Sequence, residues 1–81
     1  MNISVTRADI NEGLVSNCHQ CPIALAIHNT LKVELNDIVV TPAKISVLNV
    51  KYETPVRAAR FIRKFDGGDK VQPFTFRLRR A

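Results

Sequence analysis

An α+β fold follows from three features of the sequence. Apolar and polar residues alternate near both ends, two amphipathic stretches each open with a proline, and two runs rich in Val and Ile are separated by Pro42-Ala43. The resulting order is strand, helix, strand, strand, helix, strand. It predicts two helices packed on one face of a mostly antiparallel sheet, and a ferredoxin-like topology is one arrangement with that order. In such a split arrangement the first and last strands lie side by side. The 81 residues suffice for one domain, 1–81, and not for two cores. Function is therefore expected on a surface or in a shallow groove.

The first strand rests on Ile3 and Val5, which alternate with Asn2, Ser4 and Thr6. Thr6 is placed to cap a short helical turn through Arg7, Ala8, Asp9 and Ile10, which Gly13 can end. The first long helix is predicted from about Gln20 to Lys32. Pro22 sets its start, because proline is tolerated in the first turn, where backbone N–H groups have no intrahelical partner. Ile23, Ile27 and Leu31, with Ala24 and Thr30 beside them, form its expected inner stripe, and Cys21, Leu25, His28 and Lys32 fall on the other side. Leu31, Val33 and Leu35 alternate with Lys32 and Glu34, so a strand in place of the helix end is the competing reading.

Asp37 to Thr41 and Lys44 to about Val50 read as the two arms of an antiparallel hairpin, with Pro42 at the second position of the turn. Thr54-Pro55 signals the second helix, to Phe65, through a side-chain cap followed by proline at the first helical position, and Gly67-Gly68 stops it. Phe74, Phe76 and Leu78 alternate with Thr75, Arg77 and Arg79, giving a last strand with an apolar core face. Arg77 and Arg79 are then expected on the sheet face away from the helices.

Charge is distributed unevenly. Up to Val50 there are three basic residues against four acidic ones, and from Lys51 onward nine basic against three acidic, for a net charge of +5. The helix from Thr54 to Phe65 sorts these charges. At 100° per residue Arg57, Arg60, Arg63 and Lys64 fall within roughly a third of the circumference, whereas Ala58, Phe61, Ile62 and Phe65 cluster on the opposite side. A cationic outer face on a core-docked helix is ordinarily just solvated. Here no acidic residue is interleaved to pair with it along the helix, and arginine predominates, which suits bidentate contact with carboxylate or phosphate. An acidic partner follows as the expectation, either a protein or nucleic acid. The phenylalanines are assigned inward and only Tyr52 is left free, so base stacking is not indicated.

Cys18-His19-Gln20-Cys21-Pro22 is the one constellation with a chemical reading. A thiol in the first turn of a helix feels the positive end of the helix dipole, which favours thiolate, so the pair Cys18 and Cys21 can be read as a redox motif. The polar stretch Ala8 to Asn17 separates it from the preceding strand, unlike the arrangement in thioredoxin-like folds. As zinc ligands, Cys18, His19 and Cys21 are too few and awkwardly consecutive, and His28 lies about two turns away on a helix. A metal shared by two copies in a dimer is the version that completes four ligands. The plain alternative is two reduced cysteines helping to pack a helix start.

No acid–base or nucleophilic set accompanies these residues, and Gly67-Gly68 sits at the wrong helix end to cradle an anion. The expectation is a protein that is not an enzyme and needs no cofactor. The first residues lack the pattern of a secretory signal, no run is long enough to span a membrane, and two cysteines two residues apart suit a reducing compartment. A cytoplasmic protein is expected.

Most of the chain resembles a group of small uncharacterised proteins encoded by bacteriophages and prophages. The resemblance is carried by Asn17-Cys18-His19-Gln20-Cys21-Pro22-Ile23-Ala24-Leu25-Ala26, by Thr54-Pro55 with Ala59, Phe61-Ile62, Phe65-Asp66 and Gly68, and by Val71-Gln72-Pro73-Phe74-Thr75-Phe76. It implies a phage origin and a place in the host cell, and brings no activity with it.

Overall fold

In the computed structural model, which describes residues 1–80, the chain is α+β with antiparallel strands in two sheets. Strand β1 (Asn2–Val5) buries Ile3 and Val5. Helix α1 (Arg7–Glu12) comes next through a capping box: the Thr6 hydroxyl accepts from Asp9 N–H at 3.2 Å, and the Asp9 carboxylate accepts from Thr6 N–H at 3.0 Å. Asp9 is almost fully buried, and its other oxygen accepts from Asn29 Nδ2 at 3.1 Å, which fastens α1 to the next helix.

Helix α2 (Pro22–Leu31) starts at Pro22, after the expected Gln20, with Cys21 at its cap, and ends before the expected Lys32. Its buried face is Pro22, Ile23, Ala24, Ala26 and Ile27, with Leu31 half-buried and Thr30 exposed, so the expected stripe is shifted round the helix toward its first turn. Lys32 then adopts a left-handed conformation, φ 58°, and turns the chain away. The His28 ring holds that turn through Nδ1, 2.6 Å from the Val33 carbonyl oxygen. Because a carbonyl only accepts, Nδ1 carries the proton. The competing strand at Val33 and Leu35 does not form; a single 3-10 turn, Leu35–Asp37, leads into the hairpin.

Strands β2 (Ile38–Val40) and β3 (Lys44–Val47) make the predicted hairpin, with Ile38 opposite Val47. A second hairpin, which local sequence signals do not predict, comes after it. Leu48 and Asn49 both have positive φ, 50° and 66°, the pattern of a tight turn whose twist matches the strands it joins, and β4 (Val50–Glu53) returns along β3. Helix α3 (Val56–Asp66) starts one residue later than expected: Pro55 sits at the cap and Thr54 does not cap the helix. The Thr54 hydroxyl donates instead to the Thr41 carbonyl at 2.8 Å, tying the helix entrance to the first hairpin turn.

The C-terminal run serves two sheets. Strand β5 (Phe74–Arg77) pairs antiparallel with β1, placing Phe76 opposite Ile3, as the side-by-side expectation for the chain ends required. Beyond the buried Leu78 the chain crosses over, and β6 (Arg79–Arg80) pairs with β4. The second sheet therefore has the order β2-β3-β4-β6, separate from β1-β5. This corrects the single sheet carrying two helices: among the described residues there are three α-helices, and α2 packs against one strand of each sheet, β1 and β2. Ile3, Ile23, Ile27 and Ile38 on these elements, and Ile45 on β3, have no exposed surface and belong to one core cluster. Each such side chain taken out of water contributes about 1.5–3 kcal/mol before entropy is charged against it.

Candidate binding groove

The outer face of α3 carries Arg57, Arg60, Arg63 and Lys64, all exposed, while Ala58, Ala59, Phe61 and Ile62 are buried beneath them. The path of the chain beyond α3 decides which of these cations act together. Gly68, at φ +84°, lets the chain reverse. Gly68 N–H donates to the Phe65 carbonyl at 3.1 Å and Asp69 N–H to the Lys64 carbonyl at 2.9 Å, the paired bonds of a Schellman ending. The reversal brings Lys70, Val71 and Gln72 back alongside the helix.

Arg7, from the first helix, pins this returning strap. Its guanidinium donates to the Val71 carbonyl at 3.3 Å and to Gln72 Oε1 at 3.1 Å, and the Val71 side chain is buried in the core. Between strap and helix lies an open groove of about 280 Å³. Arg57, Arg60, Lys64 and Lys70 rim it, and Phe61, Val71 and Phe74 supply apolar wall and floor. Arg63 is not among its lining residues. It lies roughly 60° round the helix from Arg60, on the side away from Lys64 and Arg57. Of the four predicted residues the groove gathers three and adds Lys70, which helical periodicity had no means of finding.

The aromatic residues are less uniformly inward than expected. Phe61 and Phe76 are buried, but Phe65 and Phe74 are half-buried. Phe74 links the others: its ring centroid is 4.9 Å from that of Phe61 and 5.8 Å from that of Phe76. The Arg57 guanidinium carbon lies 5.8 Å from the Phe74 ring centroid. Tyr52, expected to be free, is half-buried against the core.

Four cations round one hollow raise the local positive potential, and an anion placed there relieves their mutual repulsion. Among the described residues no carboxylate is bonded to any of them, and the helix's own acid, Asp66, is engaged elsewhere, accepting from Ser16 N–H at 2.9 Å. Arg77 and Arg79 stand apart. They lie at the entrance to α3, where with Glu53, Pro55 and Val56 they line a separate hollow of about 390 Å³, and so they are not on a face remote from the helices.

The cysteine motif has a structural role. Asn17 Oδ1 accepts from both His19 N–H (3.0 Å) and Gln20 N–H (2.9 Å), holding the turn closed. His19 Nδ1 donates to the Ile38 carbonyl at 2.8 Å, and the Cys18 carbonyl accepts from Val40 N–H at 2.9 Å, so the turn is stitched to the edge of β2. Cys21 caps α2, its Sγ accepting from Ala24 N–H at 3.4 Å. Cys21 is thus an inward residue and not an outward one.

Burial pushes the Cys21 thiol above its ordinary pKa, and hydrogen bonds from the Ala24 and Ile23 backbone only partly offset this. The dipole-favoured thiolate expected from the sequence is therefore reversed by desolvation. Both cysteines are free thiols, Cys18 exposed. No group of three or more His, Cys, Asp or Glu among the described residues is arranged to hold a metal ion. Nor, among those residues, is any helix long and apolar enough to cross a membrane.

No family model, curated protein or solved structure matches the chain.

Proposed function

We propose that the protein is a non-enzymatic phage accessory protein that binds an acidic macromolecule of the host cytoplasm, protein or nucleic acid, through the cationic face of α3. The observation that carries this reading is the convergence of Arg57, Arg60 and Lys64 with Lys70 on one open groove. Two of these residues are arginines, whose planar donors match carboxylate and phosphate. The phage origin rests on the resemblance of the Asn17 to Ala26 and Val71 to Phe76 segments.

The test is retention of an acidic partner from host lysate on the immobilised protein, repeated with the double variant Arg60→Glu and Lys64→Glu. The reading expects the partner to be lost on charge reversal. Equal retention by wild type and variant rules out this face. If the retained partner is nucleic acid, its affinity falls steeply with added salt as condensed counterions are released.

A further inference from the structure

We infer that the groove between α3 and the 70–72 strap takes an acidic peptide segment carrying one apolar anchor residue. The inference rests on the binding role proposed for the α3 face and narrows it to a partner class. Three observations favour a peptide over a nucleic acid.

The cations form a ring and not a track. Arg57 and Lys64 are separated by about two helical turns, roughly 10 Å, and Lys70 faces them from the strap. A strand of nucleic acid needs a basic path that continues along its backbone. Of the other C-terminal arginines, Arg77 and Arg79 line a different hollow, at the entrance to α3, and Arg63 does not line the groove.

The floor, moreover, is apolar and is not a free stacking platform. Phe61 is buried, Val71 is buried, and Phe74 already has Arg57 over its ring. An apolar side chain entering from solvent need only contact the part of Phe74 that Arg57 leaves exposed, whereas base recognition by stacking needs the ring face that Arg57 occupies.

The groove's volume, about 280 Å³, also lies at the lower limit of pockets that enclose a whole drug-sized ligand. It suits one side chain inserted from a longer partner, with carboxylates on either side reaching Arg57, Arg60, Lys64 and Lys70. The arrangement follows the usual anatomy of a protein interface, an apolar centre with a charged rim.

Three probes of equal net charge test this by titration calorimetry or fluorescence anisotropy. The first is a short Asp/Glu peptide with a central Phe, the second the same peptide with Ser in place of Phe, and the third a single-stranded oligonucleotide. The expected result is that the Phe peptide binds at least about tenfold more tightly than the Ser peptide, because only it covers the apolar floor. The oligonucleotide should bind more weakly than the Phe peptide. Lys70→Glu, an exposed substitution outside the helix, should weaken the Phe peptide severalfold, and Arg63→Glu should weaken it much less.

Equal, salt-sensitive binding of both peptides overturns the anchor and leaves the wider charge-based reading intact. Tighter binding of the oligonucleotide overturns the peptide assignment in favour of nucleic acid. Equal loss of binding in the Lys70 and Arg63 variants overturns the groove as the site. Failure of all three probes to bind overturns both this inference and the role of the face on which it rests.

Discussion

Arg57 lies over the face of Phe74, joining the first turn of α3 to the strand that pairs with β1. One residue thus belongs both to the packing of the domain and to the rim of the groove. A guanidinium at an exposed ring face contributes on the order of 0.5–1 kcal/mol. Arg57→Gln should lower unfolding free energy by about that amount in urea titration, and Arg57→Lys by less. No loss in either variant would show that the pair is only a juxtaposition.

Gly13 and Gly68 are both needed, for different reasons. A Cβ on Gly13 would stand 2.5 Å from Cδ and Cγ of Pro22, so Gly13→Ala must push the α1 exit away from the start of α2. The expected destabilisation is about 1–3 kcal/mol, the usual range for overpacking. A Cβ on Gly68 meets nothing, but its φ of +84° disfavours any side chain, and Gly68→Ala should cost about 1 kcal/mol. Only the second variant should also weaken anion binding, since Gly68 brings Lys70 to the groove. Urea midpoints and peptide affinities of the two variants would separate these effects.

Asp9 accepts from Thr6 N–H and from Asn29 Nδ2 while nearly buried. Asp9→Ala removes both acceptors and leaves two donors without their partner. The expected loss is about 1–3 kcal/mol. Asn29→Ala, which frees only one carboxylate oxygen, should cost less. Chemical denaturation of both variants checks the order, and a larger loss for Asn29→Ala would contradict this account of the α1–α2 junction.

The raised pKa of Cys21 makes two measurable statements. In the native protein a thiol reagent should modify the exposed Cys18 and leave Cys21 unmodified until the chain unfolds. Because the folded pKa lies above the ordinary 9.0, the folded state holds the thiol proton more tightly than the unfolded chain does. The preference is intact below pH 9, and stability declines as the pH rises from there through the folded pKa. Cys21→Ser, which retains an acceptor for Ala24 N–H and does not ionise in this range, should remove that part of the alkaline decline. Equal labelling of both cysteines in the native state would disprove the buried cap.

Much of this molecule was legible where one local rule decided the outcome. Thr6 and Asp9 announce a cap, Pro22 a helix start, and Ile3 and Phe76 the inward faces of paired strands. The reading failed where tertiary structure overrode the local signal. Thr54 has the chemistry of a cap, yet its hydroxyl is taken by the Thr41 carbonyl. Leu48 gives no warning of a positive φ, because leucine rarely adopts one, so β4 was hidden inside the run that ends the hairpin. The two-sheet division depends on where Leu78 is buried, and alternation along one strand carries no information about a change of partner.

The candidate site divides in the same way. Arg57, Arg60 and Lys64 follow from helical period alone, whereas Lys70 joins them only because Gly67 and Gly68 reverse the chain and Arg7 holds the returning segment. Arg63 satisfies the same periodicity yet lies outside the groove, since the strap approaches the helix from one side only.

The register that sets Asn2 against Arg77 has a consequence for biosynthesis. During translation β1 leaves the ribosome well before β5, its sheet neighbour among the described residues, and must wait for it. Closing so long a loop is entropically slow, which makes the pairing of these two strands a late step and leaves Ile3 and Val5 wet on the nascent chain.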